Sequence, residues 1–450
     1  MAEQVDVVVL GLGIGGEEVA GRLAETGLEV VGIERRLIGG ECPYWGCVPS
    51  KMMIRAANLL AEARRVDGMA GHCEVTPDWA PVADRIRDEA TDDWNDQVAV
   101  DRFTGKGGRF VRGSGRLVGP GSVEVDGERF EARRAVVLAT GTVPGIPPIA
   151  GLSDTPYWTN REAIEAKTLP ASLLVLGGGA VGLELAQAYA RFGVAVTVVE
   201  ALDRLLPVEE PESSALAQSA LAADGITVRV GARATAVAHD GDQFTVTASD
   251  EFWAERLLVA VGRRADLGPL GVDKVGIEPS APAVPVDERM RAGDRLWAVG
   301  DVTGHGAFTH MAMYQAGIAI RDILGQGGPP ADYRAVPRVT FTDPEIGSVG
   351  LTEAQARDAG LRVAVGLARV PSSARGWIHK AGNDGFIKLV ADAERAVLVG
   401  ATSAGPTGGE VLSALAVAVH AQVNVDTLRH MIYAYPTFHR GIEDALRHLG

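Results

Sequence analysis

Short apolar runs punctuated by glycine set the framework of this chain. Val5 to Leu10 reads as a strand, Gly11-Leu12-Gly13-Ile14-Gly15-Gly16 as a tight turn into a helix, and Val30 to Ile33 as a second strand ending at Glu34. The same parts return in the same order. Leu173 to Leu176 leads into Gly177-Gly178-Gly179-Ala180-Val181-Gly182, a helix follows, and Ala195 to Val199 ends at Glu200. Gly11, Gly16 and Glu34 each recur 166 positions later, as Gly177, Gly182 and Glu200, so the repeat keeps its spacing as well as its composition. Such a unit binds a dinucleotide. Its glycines serve where the backbone turns, where it approaches a pyrophosphate and where helix meets strand, and the terminal acid accepts hydrogen bonds from a ribose.

Punctuation sets the expected boundaries. Thr142-Val143-Pro144-Gly145-Ile146-Pro147-Pro148 closes the first segment, and Gly325-Gln326-Gly327-Gly328-Pro329-Pro330 precedes the last. Leu257 to Gly262 reads as a strand closing the second nucleotide unit, and Leu296 to Asp301 as one returning to the first, so the second unit is inserted in the first. The tail mixes strands at Arg338–Phe341 and Phe386–Val390 with helices at Thr352–Ala359 and Glu410–Ala421. The expected fold is α/β: two Rossmann-like dinucleotide-binding domains, one inserted in the other, plus a C-terminal α+β dimerisation domain. The domains expected are 1–145 with 267–335, then 146–266, then 336–450.

Composition narrows the partners. The 450 residues are 46% hydrophobic and 22% charged, ordinary for a globular protein, and the net charge of −15 disfavours nucleic acid or an anionic membrane surface. The longest apolar stretch, Val411 to Val423, is short for a bilayer span and contains His420. The first residues, Met1 to Asp6, show no basic stretch before an apolar one, and the expected location is cytoplasmic. With three cysteines a disulphide framework is not expected, and Cys73 has no sequence partner.

Candidate chemistry lies just past the first repeat, at Cys42-Pro43-Tyr44-Trp45-Gly46-Cys47. Residues five apart on a regular helix are separated by roughly 8 to 9 Å, beyond the roughly 7 Å a disulphide tolerates, so a redox pair here needs a bent segment. Pro43 and Gly46 favour one. A helix running on through Lys51 to Ile54 places the thiols near its positive end, which favours thiolate.

With the twin repeat, the cysteine spacing and the insertion, the chain resembles the class I flavoprotein disulphide reductases, among them dihydrolipoamide dehydrogenase, glutathione reductase and mercuric reductase. Ala139-Thr140-Gly141, Val299-Gly300-Asp301, and Phe341-Thr342-Asp343-Pro344-Glu345 followed by Val349-Gly350-Leu351-Thr352-Glu353 carry the same likeness. The resemblance implies FAD at the first repeat, held by Gly11, Gly13, Gly16, Glu34, Arg35, Gly40, Glu41, Cys42, Lys51, Gly115, Ala139, Thr140, Gly141, Asp301 and Ala312. It implies a pyridine nucleotide at Gly177, Gly179, Gly182, Glu200 and Gly262. Cys47 is then the thiol facing the flavin, Cys42 the more exposed interchange thiol, and Lys51, paired with Glu184, a fixed charge beside the flavin. A homodimer with a shared active site follows from the same likeness, with no metal.

Glu200 favours NADH, since a carboxylate there repels the extra phosphate of NADPH, although Arg204 stands four residues on. Ala180 replaces a tyrosine that some relatives use to gate the nicotinamide pocket. The tail departs from the family's His-Pro-Thr motif and its following glutamate: Tyr435 and Arg440 hold those places, with His439 as the nearest substitute base on the first turn of a helix. No cysteine follows Cys73, so the terminal thiol pair of mercuric reductases is absent. The expected activity is an NADH-preferring, FAD-dependent oxidoreductase passing electrons through Cys42/Cys47 to a small disulphide or related acceptor. The alternatives are a metal-ion or quinone reductase and a low-turnover flavin redox sensor.

Overall fold

The computed structural model describes residues 2–450. By contact the chain forms two compact units, one of Met1–Pro49, Asp84–Gly145 and Gly262–Tyr333, the other of Ser50–Ala83, Ile146–Val261 and Arg334–Gly450.

The first unit is built on a sheet in which five successive strands run parallel: Leu296–Ala298, Glu128–Leu138, Glu3–Leu10, Val30–Glu34 and Arg109–Arg112. An antiparallel edge strand, Arg291–Gly293, and a hairpin, Arg116–Gly119 with Ser122–Val125, complete it. Alternate residues of Glu3–Leu10 enter two different cores. Val7 and Val9 pack with Val19, Leu23, Phe103 and Ile320, whereas Val8 and Leu10 pack with Ile33, Val123, Phe130 and Leu296. A sheet covered on both faces needs apolar side chains at every position, which is why its strands read as runs rather than alternations. The helix Ile14–Ala24 packs against Thr309–Ile323 on the first face.

The second unit carries three sheets. One is parallel, in the order Thr227–Arg229, Ala195–Val199, Ser172–Leu176, Arg256–Val259. Beside it is an antiparallel three-stranded sheet, Ala236–His239, Phe244–Thr247 and Glu251–Ala254. The third is a five-stranded antiparallel sheet, Pro337–Thr340, Glu345–Gly350, Val397–Gly405, Phe386–Asp392 and Val363–Arg369, packed on the helices Gly408–His420 and Gly441–Arg447.

Element ends differ from expectation where polar chemistry takes over from the apolar pattern. Leu296–Ala298 stops three residues before Asp301, which opens a short 3₁₀ turn instead. The expected helix at Thr352 starts at Glu353, because Thr352 is its cap, sharing a capping box with Gln355. Among the described residues no helix is long and apolar enough to cross a membrane.

Candidate active site

In the first unit the glycine turn is dictated by backbone crowding. Gly11 has φ +88°, and a Cβ there would lie 2.5 Å from the Ala139 carbonyl oxygen; one on Gly16 would lie 2.0 Å from that of Gly11. Gly13 differs: nothing stands closer than Gly40 Cα at 4.0 Å. It caps the helix Ile14–Ala24 without any capping side chain. A bare helix N-terminus behind an open glycine can accept an anion. Gly40, with φ +66°, comes so near that its own Cβ would meet Gly13 Cα at 2.9 Å. Glu34 locks the turn, accepting the Leu12 N–H at 2.9 Å and the Arg36 N–H at 2.7 Å, while Arg35 stays exposed.

Past Ala139 and Thr140, Gly141 has φ +65° and open space where a Cβ would stand. Ala312 lies under Gly15, whose added Cβ would meet it at 3.1 Å, and Gly115 packs on Leu10 and Ile33. A polar relay ends at Asp301. Arg263 Nε donates to Thr142 Oγ1 at 2.8 Å, and that hydroxyl donates to Asp301 Oδ2 at 2.9 Å; Arg263 also lies 3.9 Å from Glu41. Burial pushes the Asp301 carboxyl above its usual range, and the Thr142 bond offsets part of that. Gly262, with φ +120° and open space, falls in this unit and accepts the Gly145 N–H at 2.8 Å.

The second repeat reproduces the first bond for bond. A Cβ on Gly177 would lie 2.4 Å from Ala260 O, one on Gly182 2.5 Å from Gly177 O, and Gly179 is open. Glu200 accepts from Gly178 N–H at 2.6 Å and Leu202 N–H at 2.7 Å, the counterparts of Leu12 and Arg36. The Arg204 guanidinium is committed to its own loop, donating to Glu209 O at 2.9 Å, Pro207 O at 2.6 Å and Ser214 Oγ at 2.8 Å. Ala180 opens the helix Ala180–Arg191.

The segment between the cysteines is bent. Cys42 lies in a single turn, Glu41–Tyr44, which breaks at Trp45 and Gly46, and the long helix Cys47–Arg64 then starts at Cys47 itself. Gly46 folds back so closely that a Cβ would sit 3.0 Å from Glu41 O and 3.3 Å from Cys42 Cα. The two thiols hydrogen-bond each other; that bond and then burial raise the Cys42 thiol well above its usual range. Cys47 Sγ lies 3.4 Å from Thr309 Oγ1, on the first residue of the helix Thr309–Ile323. One expectation is reversed: Cys47 is the exposed thiol and Cys42 the half-buried one.

In the second unit Lys51 Nζ donates to Glu184 Oε2 at 2.7 Å, and the carboxylate's other oxygen accepts the Phe341 N–H at 2.8 Å. Glu184 is 6% exposed. The Phe341 ring lies over the ammonium, 4.5 Å from Nζ to centroid. The partnership of Lys51 with Glu184 was expected; the aromatic contact and the Arg263–Thr142 relay were not.

Tyr435 is 68% exposed, with the Arg440 guanidinium over its ring at 5.3 Å and Arg440 paired to Glu443 at 3.0 Å. His439 lies in the turn just before the helix, which starts at Gly441, and its ring sits 6.1 Å from that of Tyr433. Among the described residues no cluster of three or more His, Cys, Asp or Glu is arranged to hold a metal.

Residues 5–316 match the family model described as pyridine nucleotide-disulphide oxidoreductase, and residues 336–446 match the dimerisation domain of the same family. A dihydrolipoyl dehydrogenase of Halobacterium salinarum is 34% identical, over 98% of this chain and 96% of its own length. A mercuric reductase of Shigella flexneri is 33% identical, over 97% of this chain and 79% of its own. Among solved structures, LpdA of Mycobacterium tuberculosis superposes with a TM-score of 0.86 at 27% identity, covering 99% of both chains. The HOCl-induced flavoprotein disulphide reductase RclA of Escherichia coli, as its Cu(II) complex, shares the fold, with a TM-score of 0.87 at 24% identity over 99% of both chains. The open glycines, bare helix ends and locked carboxylates fit the FAD and pyridine nucleotide that this family uses. The chain belongs to the pyridine nucleotide-disulphide oxidoreductases, FAD-dependent enzymes that pass electrons from a pyridine nucleotide to a disulphide.

Proposed function

We propose that this enzyme takes electrons from NADH and delivers them through the Cys42/Cys47 pair to a small disulphide. The observation that carries the proposal is the helix Cys47–Arg64, which begins at one thiol and presents, one turn later, a lysine held by a buried glutamate. In this assignment Gly11, Gly13 and Gly16 admit the FAD pyrophosphate to the end of Ile14–Ala24, Glu34 orients its ribose, and Asp301 binds further along the same cofactor. Gly177, Gly179, Gly182 and Glu200 do the same for the pyridine nucleotide. Domain limits of 1–145 with 267–335, 146–266 and 336–450 belong to the same proposal. NADH is favoured over NADPH because Glu200 has both oxygens held in place by backbone N–H groups, and Arg204 spends its donors on the carbonyls of residues 206–209.

Bound FAD supplies the two-electron relay between nicotinamide and thiols. Lys51, held in place by Glu184, favours negative charge beside it. With the Cys42–Cys47 disulphide reduced to two thiols, Cys42 attacks one sulphur of the acceptor, forms a mixed disulphide and passes its proton to the departing thiolate. Cys47 then attacks Cys42, restores the internal disulphide and releases the second thiol, so NADH, a proton and one acceptor disulphide yield NAD⁺ and two thiols. Because Cys42 holds its proton tightly, the attack needs a hydroxyl that takes this proton and hands it on to the departing sulphur. We assign that role to Tyr435 of a second copy of the chain, in place of imidazole.

The second copy fits the exposed apolar residues of the dimerisation segment: Ile432 is 95% exposed, Trp377 76% and Val417 64%. Use of a cysteine pair for redox work, with only three cysteines in the chain, suits a reducing cytoplasm. The test is an acceptor panel with Cys42→Ser: turnover of small disulphides is abolished while quinone reduction at the flavin persists. Undiminished disulphide turnover in Cys42→Ser would refute the proposal.

A further inference from the structure

We propose that Phe341 is a positioning residue for Lys51, acting through the face of its aromatic ring. The inference rests on the placement of Lys51 beside the flavin made above. The Lys51 side chain is 35% exposed, so an ion pair to Glu184 alone leaves the ammonium free to swing on a flexible stem. Phe341 closes that freedom from two directions. Its ring lies 4.5 Å from Nζ, within cation–π range, and its N–H fixes the Glu184 oxygen that does not face the lysine. One residue therefore holds both partners of the pair.

Phe341 is itself held by a polar seam between two helices. On Ala180–Arg191, residues Glu184, Gln187 and Arg191 follow at three- and four-residue spacing and share one face. On the other helix and just past its end, Lys51, Asn58 and Arg65 follow at seven-residue intervals, two turns apart. Arg191 donates to Asn58, and the segment Phe341–Asp343 closes the seam: Asp343 N–H donates to Gln187 Oε1 at 2.7 Å, and its carboxylate accepts from Arg191 at 2.8 Å and Arg65 at 2.6 Å. Arg191 is 2% exposed, so this anchor is buried, and the ring reaches Lys51 from a backbone clamped at residues 341 and 343.

The test uses the purified holoenzyme and reads the equilibrium between oxidised and reduced flavin against a reference dye under anaerobic conditions. Four forms are compared with the native enzyme at equal flavin content: Lys51→Met, Phe341→Leu, and two carrying monofluoro- or trifluorophenylalanine at position 341, which weaken the ring's negative face while keeping its shape. The expected result is a graded loss of the reduced form. Trifluorophenylalanine and Phe341→Leu lower the equilibrium constant by about two- to five-fold, the monofluoro form by less, and Lys51→Met by more. A shift in Lys51→Met with no response to fluorination overturns the role of Phe341 and leaves the placement of Lys51 standing. No shift in Lys51→Met overturns that placement and this proposal with it.

Discussion

Lys388 offers a sharp test of how the second unit is held together. Its ammonium sits on the strand Phe386–Asp392 with 4% side-chain exposure, donating to Glu210 at 3.0 Å, Glu212 at 2.9 Å and Glu353 at 3.0 Å. Replacing it with Met leaves three carboxylates around an apolar side chain. Removing one partner of a buried pair costs about 3–5 kcal/mol, and the lower end applies because Glu212 and Glu353 are 30% exposed and can rehydrate. At roughly 2–4 °C per kcal/mol, Lys388→Met lowers the melting temperature by about 6–12 °C at pH 7.5.

The pH dependence supplies an independent check. Bonds to Arg357 first, and then to Lys388, hold the Glu353 carboxyl below its ordinary value of 4.5. A depressed carboxyl contributes stability that is present above the unfolded value and is lost as pH falls through the folded one. Part of that contribution disappears with the lysine, so the gap between native and Lys388→Met narrows as pH is lowered below 4.5. Differential scanning calorimetry at several pH values reads both effects. A drop smaller than about 2 °C, or a gap that widens on acidification, refutes the reasoning.

Asp301→Asn is expected to stabilise the flavin-free protein at neutral pH while weakening flavin retention. Burial raises the Asp301 carboxyl, so its contribution is fully present below the unfolded value of about 3.8 and is lost as pH rises through the folded one. The advantage of Asn should therefore shrink in acid, as thermal melts of apoprotein check. On the proposed assignment of NADH, Glu200→Ala shifts the ratio of the two kcat/KM values toward NADPH by about ten-fold or more, the worth of a charged hydrogen bond. Arg204→Ala weakens both coenzymes alike and leaves that ratio unchanged, because its partners are carbonyls of residues 206–209 and Ser214. Gly16→Ala abolishes flavin binding, since its methyl group would lie 2.0 Å from Gly11 O; absorbance of the purified variant reports this.

Much of this was legible in the chain because glycine and carboxylate spacing is a local code. Gly11, Gly16 and Glu34 sit within one strand–turn–helix–strand unit, so their offsets survive folding unchanged and reappear at Gly177, Gly182 and Glu200. The bend between the cysteines was likewise local, falling at Trp45 and Gly46 between them. Contacts made by the long-range fold were not legible. Phe341 meets Lys51 across 290 positions and reads in sequence as the end of a strand, and the thiols' neighbour Thr309 lies 262 positions from Cys47. Arg204 shows the converse difficulty: a lone arginine near the coenzyme carboxylate looks available for a phosphate until the left-handed Leu206 turns the carbonyls of its own loop inward. The exposure of the two thiols was misjudged as well: Cys42 is half-buried and Cys47 exposed.

The central claim is that electrons leave through Cys47 and Cys42, and the visible spectrum tests it most directly. The flavin-loaded enzyme is titrated anaerobically with NADH, before and after alkylation of the reduced thiols. A long-wavelength thiolate-to-flavin charge-transfer band that appears after two electrons, disappears on alkylation and is absent in Cys47→Ser is the predicted result. A titration with no such band, and with flavin reduction complete at two electrons whether or not the thiols are alkylated, contradicts the account.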